Sequence, residues 1–504
     1  MDYEPYEPAW LLNSTVVFLV LVVISAVTLV TYRLYLSPLA MIPGPKLAAA
    51  TGWYEFYYDC LLAGKYIFEI ERMHQVYGSI IRISPCEVHV KDPEYFLQLN
   101  SSTSKLNKYA WYYNFVAAPD AGFGTISHDL HRTRRAAVAK YFSTANVTRL
   151  EPLIQKCVSK LISRLEEHRL EGKVADLSNA YRCLATDVIT EYALPRSRLM
   201  LDSPDFAAGY NRVLRDFTNI ATWHRHIPII FPIFNAIPRW AIAIIDPGPS
   251  LAVFDNQKFF KESAANIVAS RGRDKREPTV LHEISNSNSS LSERSVSRLI
   301  HEAQTLVGAG TETTGNTLSM TTFYLLANPD KAGRLKKELM DLGEDRGQPM
   351  SYQALQKLPF LTAVISEGLR ISSSVAGRLP RVSPTAAMEY NSYLLPAGTA
   401  VSMSIRDVHF DESIFPDAHH FKPERWLGDE KRALEEYLIP FSKGPRSCVG
   451  MNLALAELYL VIGNLFRRFD MKLVDTNEED LTMAHDFFSP FGPTDSKGLR
   501  VAVL

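Results

Sequence analysis

The chain has 504 residues, of which 46% are hydrophobic and 22% are charged, so it can bury a large core. Its formal net charge of −1 excludes a global field that would recruit nucleic acid, so a charged partner must meet a local patch. The five cysteines are an odd number without a CxxC pair, which argues against a disulfide framework or a zinc cage and indicates a reducing compartment.

The N-terminal segment departs from this soluble composition. Residues 10–32 carry no charged side chain, and their length matches the roughly 20 residues that cross a bilayer as a transmembrane anchor. Acidic residues precede the segment and basic residues follow it, which predicts an external N-terminus and a cytosolic body. A cleaved signal peptide or a buried core helix would also explain the apolar run. The proline-rich residues 33–46 then predict a stiff hinge before a body over residues 47–504.

The body has mainly helical periodicity with a small β portion. Apolar residues recur with the helical period over 147–171, 250–271, 292–327 and 358–371. Alternation over 80–90 predicts an edge hairpin, and a second sheet signal lies at 390–404. The charged stretch 271–277 and the polar run 285–290 together predict one exposed loop rather than a domain boundary.

The clearest predicted helix begins at Ser290, because Ser290 and Glu293 have the spacing of a capping box. It ends before Asn328-Pro329 and is long enough to cross a whole domain. Its middle contains the glycine- and threonine-rich run 308–315, whose residues are poor helix formers. This run predicts either close packing against a neighbouring helix or an opened hydrogen-bond ladder that a ligand can approach.

A lone cysteine, Cys448, lies near the C-terminus in the sequence FSKGPRSCVG. Gly444 and Gly450 allow a tight loop with backbone N–H groups directed at the sulfur, and Arg446 adds positive charge. A helix follows Gly450 and contributes its dipole. These features favour the metal-binding thiolate form. A nucleophilic protease cysteine would need the same low pKa, and a distant histidine could supply its base, so these residues alone leave both interpretations open.

Four motifs, in their usual order, resemble those of the cytochrome P450 family. FSKGPRSCVG fits the haem-loop pattern F-x-x-G-x-R-x-C-x-G, 309–314 resembles the central-helix motif, Glu367 to Arg370 matches E-x-x-R, and 421–426 resembles the segment that completes it. With the anchor and the hinge, the resemblance covers essentially the whole chain. It implies the cytochrome P450 fold, which is mainly α with a small β portion and a long central helix over a haem.

The resemblance implies that Cys448 is the proximal ligand of the iron of haem b. It also implies a set of cofactor-binding residues: His131, Arg135, Arg381, Phe441, Gly444, Arg446 and Gly450. His131 stands where the family often has tryptophan, which keeps a hydrogen-bond donor but makes the contact sensitive to pH. The run HRTRR, which contains His131 and Arg135, could instead be a solvated basic face that docks a reductase.

Glu312 and Thr313 match the acid and alcohol pair with which the family delivers protons for cleavage of dioxygen. Thr313 could instead, or in addition, bond back to the carbonyl of Ala309 and bend the helix. The family resemblance also implies that Glu367, Arg370 and Arg425 form a buried charge network that retains the haem, whereas the spacing alone would suggest an ordinary surface pair.

The substrate pocket is expected over the haem, with walls from separate segments: Trp111, Phe115, Phe123, Leu306, Ala309, Gly310, Val375 and Phe488. Aromatic residues and few charges predict an apolar, fairly bulky substrate, although ordinary core packing is the alternative for any one residue. Residues 108–113 and HRTRR resemble those of fungal members that oxidise terpenoid or polyketide intermediates in secondary metabolism. The apolar run 228–244 predicts either a segment that dips into the bilayer surface or a buried one.

The resemblance therefore predicts a monooxygenase that inserts one atom of O2 into such an intermediate. Electrons are expected from a separate NADPH-cytochrome P450 reductase, which would meet Lys443 or Arg432, with cytochrome b5 as a further candidate partner. The expected location is the endoplasmic reticulum membrane, with a single span and a cytosolic catalytic domain. The alternative is a haem-thiolate isomerase or dehydratase, which needs neither O2 nor a reductase. A non-enzymatic haem protein is a third possibility. The presence of Glu312 and Thr313 disfavours both of these alternatives.

Overall fold

The N-terminal apolar segment forms a helix that the body does not bury. The computed structural model describes residues 9–245, 249–270, 279–287, 290–343 and 349–504. Helix α1 (Ala9–Thr31) continues into a π-helical turn over Tyr32–Leu36. The span Ser14–Leu36 has a mean hydropathy of 2.6 and no buried residue, so α1 is not a core helix of the body. Its length and exposure are consistent with a membrane anchor.

The described part of the body is mainly helical. Its helices are, in chain order, α2 (Lys46–Ala50), α3 (Trp53–Phe56), α4 (Tyr66–Tyr77), α5 (Pro93–Leu99), α6 (Ala110–Tyr113), α7 (His128–Ala139), α8 (Thr144–Arg149), α9 (Glu151–Leu170), α10 (Leu177–Ala193), α11 (Ala208–His226), α12 (Ile230–Ala236), α13 (Arg239–Ile245), α14 (Pro249–Ala269), α15 (Val280–Asn286), α16 (Val296–Ala327), α17 (Pro329–Met340), α18 (Tyr352–Leu355), α19 (Pro359–Ser372), α20 (Ile405–His409), α21 (Lys431–Tyr437) and α22 (Met451–Arg468).

The strands are short and form small sheets beside the helices. In chain order they are β1 (Ile80–Ser84), β2 (Glu87–Val90), β3 (Asn107–Lys108), β4 (Ala175–Asp176), β5 (Arg381–Val382), β6 (Met388–Tyr390), β7 (Tyr393–Leu395), β8 (Ala400–Ser402), β9 (Met471–Leu473), β10 (His485–Phe487), β11 (Ser489–Phe491) and β12 (Arg500–Val503).

The largest described sheet has the strand order β1-β2-β8-β5-β3. Strands β1 and β2 form the predicted edge hairpin, and β2 pairs in parallel with β8, with Val88 opposite Val401. Strand β3 pairs with β5, which places Lys108 opposite Arg381. Strands β4, β12 and β9 form a second sheet, and β6–β7 and β10–β11 form hairpins. The prediction of a mainly α fold with a small β portion is confirmed.

Two predicted elements differ from the structure. The helix expected over 147–171 is divided into α8 and α9, because Pro152 lies in the first turn of α9 and favours a new helix start. Part of the loop expected between 271 and 290 lies outside the described residues. Within the described part, α15 forms, because Thr279 caps it and Val280, Leu281 and Ile284 are buried.

The predicted capping box at Ser290 and Glu293 is wrong. Helix α16 begins at Val296, where the side chain of Ser295 accepts a hydrogen bond from the backbone N–H of Arg298 at 3.2 Å. The Glu293 carboxylate instead accepts hydrogen bonds from the Arg134 guanidinium of α7 at 2.8 to 3.1 Å. A charge-assisted pair with a distant arginine therefore replaces the local cap.

Helix α16 crosses the core and packs against α10, α14, α19 and α22. A Cβ added at Gly310 would lie 3.3 Å from the Ile189 side chain, and one at Gly315 would lie 2.7 Å from the Arg182 side chain. These two glycines therefore allow close packing against α10. A Cβ at Gly308 would meet no atom within 4 Å, so this residue leaves open space beside the helix. Close packing therefore explains Gly310 and Gly315, whereas α16 continues unbroken through the run, so the structure does not show the opened ladder there.

Candidate active site

A cavity of ≈ 1550 Å³ separates the middle of α16 from the loop that carries Cys448. Seven of the eight predicted pocket residues line it: Phe115, Phe123, Leu306, Ala309, Gly310, Val375 and Phe488. The ring of Phe488 lies 5.1 Å from that of Phe115 and 5.5 Å from that of Phe123. Aromatic faces therefore cover one wall of the cavity.

Trp111 is the exception. It was predicted to line the pocket, but its ring packs elsewhere. Its ring lies 5.2 Å from the ring of His226 and 5.6 Å from the Arg225 guanidinium, both at the end of α11. It is absent from the described lining of the cavity. Helix α6 has four residues, which cover a full turn, so its aromatic side chains point in different directions.

The loop around Cys448 is tight for steric reasons. Gly444 has φ +70°, and a Cβ there would lie 2.4 Å from the carbonyl oxygen of Asn100. The backbone N–H of Cys448 donates to the carbonyl oxygen of Phe441 at 2.8 Å, which closes the loop. Cys448, Phe441 and Gly450 line the cavity, whereas Gly444 lies behind them and shapes the loop.

Arg135, not Arg446, supplies the positive charge beside Cys448. Burial raises the pKa of the Cys448 thiol, while the backbone N–H of Gly450 and the charge of Arg135 oppose that rise. Arg135 donates to the carbonyl oxygen of Ser447 at 2.5 Å. The Arg446 guanidinium instead donates to the carbonyl oxygens of Thr125 and Ile126 at 2.8 and 2.7 Å. The protein therefore stabilises the thiolate only in part, and coordination to a metal would complete the deprotonation.

A group of basic side chains lines the same cavity: Lys108, His131, Arg135, Arg381 and Arg446. Lys108, His131 and Arg381 are buried, and Arg135 and Arg446 are half-buried. Burial together with the charges of Arg381 and Arg446 lowers the pKa of Lys108 well below its usual value. The same two causes, burial and neighbouring positive charge, lower the pKa of Arg446 to about 10 and that of His131 to about 3. The Arg446 Nε atom is buried and has no hydrogen-bond partner among the described residues. The two carboxylates of a haem would supply the counter-charge that this group lacks.

Lys108 was missed by the sequence analysis as a member of this group. Its ammonium donates to the carbonyl oxygen of Phe123 at 2.6 Å and lies 3.5 Å from the centroid of the Phe123 ring and 4.0 Å from that of the Tyr113 ring. A lysine within the aromatic segment 108–115 was the available signal, because its aliphatic stem can pack against the rings around it. The pairing of β3 with β5, which brings it to Arg381, cannot be read from the sequence.

Thr313 and Glu312 lie in the middle of α16 with different surroundings. The Thr313 hydroxyl lines the cavity and donates to the carbonyl oxygen of Ala309 at 2.7 Å, the back-bonded arrangement. The Glu312 carboxylate also borders the cavity, and it accepts two hydrogen bonds from the Arg182 guanidinium of α10 at 2.6 and 2.9 Å. Arg182 therefore fixes the position of the acid.

Glu367, Arg370 and Arg425 come together in a buried network below α19. Glu367 and Arg370 are both 0% exposed, and their side chains share two hydrogen bonds of 2.8 and 3.0 Å. Arg425 donates to Glu367 at 3.2 Å, as does the Trp426 indole at 2.9 Å. The structure thus places these residues as a network rather than as a surface pair.

Two remaining segments have mixed environments. In the HRTRR run, His131, Arg134 and Arg135 turn inward and only Arg132 and Thr133 are exposed, which leaves little of the proposed basic docking face. In the apolar run 228–244, Phe231 and Ile242 are buried while Trp240 is 69% exposed. Helices α12 and α13 therefore have both a cavity-facing side and an exposed apolar side.

Comparisons with known proteins agree with this geometry. The cytochrome P450 family model matches residues 53–494. The chain is 38% identical to the cytochrome P450 monooxygenase MO6277 of Ascocoryne sarcoides over 99% of both chains, and 37% identical to the monooxygenase tpcC of Cochliobolus heterostrophus over 94% of both. It is 38% identical to the tryptophan 6-hydroxylase fscE of Fusarium equiseti, over 97% of this chain and 96% of that one. The chain therefore belongs to the cytochrome P450 family and is a monooxygenase of the fungal secondary-metabolism type, a family that uses haem with a cysteine-ligated iron and electrons from a reductase.

Proposed function

We propose that this enzyme inserts one atom of O2 into an apolar, terpenoid or polyketide-derived intermediate, with electrons from a separate NADPH-cytochrome P450 reductase. The observation that carries the proposal is an aromatic-walled cavity that brings Cys448, Thr313 and a group of basic side chains together. Haem ligated by a cysteine thiolate supplies the activation of O2.

Cys448 is the residue that would bind the iron, since its thiol faces the cavity. Lys108, His131, Arg135, Arg381 and Arg446 would hold the two propionates. His131 is neutral before haem binds, because burial and nearby cations lower its pKa to about 3, so it would donate a hydrogen bond rather than a charge. Phe441, Gly444 and Gly450 shape the loop around the sulfur. Glu367, Arg370 and Arg425 would brace the region without touching substrate.

Thr313 and Glu312 would hold and move protons beside the reacting carbon. The Thr313 hydroxyl proton is directed to Ala309, which leaves the lone pairs of its oxygen free toward the cavity. A water molecule bound there could pass a proton inward. Glu312, held by Arg182, would orient such water from the flank of the cavity. This pair favours oxygenation over the haem-thiolate isomerase or dehydratase alternative.

The substrate class follows from the cavity wall. Phe115, Phe123 and Phe488 offer apolar faces, and Leu306 and Val375 add aliphatic surface. A bulky apolar substrate would gain about 25 cal/mol for each Å² that it buries there. The name of one relative, tryptophan 6-hydroxylase, shows that members of this set also act on aromatic compounds.

We also propose the location and partners. The unburied helix α1 would anchor the chain in the endoplasmic reticulum membrane with the body in the cytosol, because acidic residues precede it and Arg33 and Lys46 follow it. The exposed Trp240 and Ile244 of α13 would rest on the same bilayer surface. Lys443 or Arg432 would meet the acidic face of the reductase, with cytochrome b5 as a second electron donor.

The test is co-expression with a fungal reductase. We expect the thiolate band in the carbon monoxide difference spectrum of the reduced protein, and its loss in Cys448→Ser. Cys86→Ser is the matched control, because Cys86 is also a free cysteine but lies outside the cavity lining. Extracts from cells with and without the enzyme should differ in an oxygenated product, formed with NADPH and O2. Survival of the band in Cys448→Ser, or product formation without O2, would refute the proposal.

A further inference from the structure

The last turn of α11 ends with three polar residues, His224, Arg225 and His226, which point to two different places. Arg225 and His226 both contact the carboxylate of Asp59, which lies in the N-terminal part of the body and is buried. Arg225 is further surrounded by the Trp111 and Tyr112 rings, at 5.6 and 4.8 Å. This buried cluster holds the end of α11 in place.

His224 lines the cavity instead and is only 7% exposed. Its ring centroid lies 4.3 Å from that of Phe231 on α12. The backbone N–H of Phe231 points to its Nδ1 atom at 3.5 Å, so Nδ1 is the acceptor and the ring hydrogen is on Nε2. Burial lowers the pKa of His224, which keeps the ring neutral. No hydrogen bond joins Nε2 to another described residue, and His224 lines the cavity, so this N–H remains available as a donor.

The other residues of α11 that line the cavity do not offer such a donor. Val213, Leu214, Phe217 and Ala221 are apolar. The Tyr210 hydroxyl donates to Asn256 at 3.2 Å, and the Thr218 hydroxyl donates to the carbonyl oxygen of Arg215 at 2.6 Å. His224 therefore ends an otherwise apolar wall with one neutral hydrogen-bond donor.

We propose that His224 donates a hydrogen bond from Nε2 to an oxygen atom of the substrate. This inference rests on the proposed function and restricts the substrate class proposed there. The substrate is an apolar molecule that already carries a carbonyl, ether or hydroxyl oxygen away from the carbon to be oxidised. A fully apolar analogue would cover this donor without offering an acceptor, which costs free energy. Such an analogue should therefore bind less tightly than a substrate that carries the oxygen. An earlier step must therefore add that oxygen from O2 or water, or leave it in place from the precursor.

Gln304 on α16 is the competing candidate, because it also lines the cavity without a hydrogen-bond partner among the described residues. Gln304 and Thr313 are nine residues apart, which is about two and a half turns of an α-helix. The two side chains therefore leave α16 on opposite sides. We therefore take His224 as the donor, and the Gln304→Leu variant distinguishes the two residues.

The test uses cyclododecanone and cyclododecane, a matched pair that differs by one carbonyl oxygen. Dissociation constants are measured with the haem-loaded enzyme by titration of its absorbance spectrum. We expect the wild type to bind the ketone about 3- to 10-fold more tightly, the range for one net hydrogen bond. His224→Leu should remove the difference and His224→Gln, which keeps a donor, should restore part of it. Thr218→Val and Gln304→Leu should keep the wild-type ratio.

Equal affinity for the two probes in the wild type, including no binding of either, would overturn the inference. So would loss of the ratio in Gln304→Leu, or its survival in His224→Leu. The carbon monoxide spectrum and NADPH consumption with the reductase are recorded on the same samples. Their absence counts against the proposed function, whereas their presence with no ketone preference counts against His224 alone.

Discussion

Replacement of Glu367 with alanine should destabilise the protein more than any substitution of an exposed charge. The Glu367 carboxylate accepts two hydrogen bonds from Arg370, one from Arg425, one from the Trp426 indole and one from the Lys422 backbone N–H, at 2.8 to 3.2 Å. Its loss leaves the Arg370 guanidinium 0% exposed, with the carbonyl oxygens of His409 and His420 as remaining partners. Removing one partner of a buried ion pair lowers the free energy of unfolding by about 3 to 5 kcal/mol.

The assay is urea unfolding followed by far-ultraviolet circular dichroism, with the free energy taken from the midpoint and slope. Glu435→Ala is the matched control, because Glu435 pairs with Lys431 at 3.4 Å while the two side chains are 52% and 43% exposed. That pair should contribute no more than about 0.5 kcal/mol. A loss below about 1 kcal/mol in Glu367→Ala, or equal losses in the two variants, would refute the reasoning.

Three further substitutions test separate parts of the site. Thr313→Ala should bind haem normally but divert electrons to peroxide or water, measured as peroxide released per NADPH; coupling as efficient as in the wild type would contradict the proton role. Gly444→Ala should abolish haem retention, because its Cβ would lie 2.4 Å from the Asn100 carbonyl oxygen at φ +70°, whereas Gly428→Ala, with no atom within 4 Å, should retain haem. Burial and the charge of Arg370 lower the pKa of His409 to about 3, so the unfolded chain binds the extra proton below about pH 6.5 and stability falls as the pH falls. Between pH 7 and pH 5, the free energy of unfolding should therefore fall by about 2 kcal/mol less in His409→Gln than in the wild type, as measured by urea unfolding. Equal decreases in the two proteins would show that His409 is not buried as the neutral form.

The parts of the site that could be predicted from sequence are those encoded by short-range spacing. Cys448 and its glycines lie within ten residues, and Glu367 and Arg370 are one helical turn apart. The spacing within each motif is therefore enough to predict its local geometry. The central helix was recognised for the same reason. Its first residue was not, because Ser290 and Ser295 are both plausible caps, and the pairing of Glu293 with Arg134, 159 positions away, decides between them.

Residues placed by long-range packing were missed or misassigned. Lys108 joins Arg381 only through the pairing of β3 with β5, and Arg182 reaches Glu312 from α10 across 130 positions. Trp111 was expected in the pocket with its aromatic neighbours, but a four-residue helix has no single face, so periodicity gives no direction for its ring. His224 carried no motif and became visible only beside Phe231 and the cavity.

The cationic group of Lys108, Arg381 and Arg446 should make haem a determinant of folding as well as of catalysis. Before the propionates arrive, buried like charges repel one another, so β3, β5 and the Cys448 loop are held together against an electrostatic penalty. A ligand that binds only the native state shifts the folding equilibrium by mass action. The amount of folded enzyme in a cell should therefore follow the supply of haem, and an excess of newly made chain over haem should be degraded rather than accumulate as stable apoprotein.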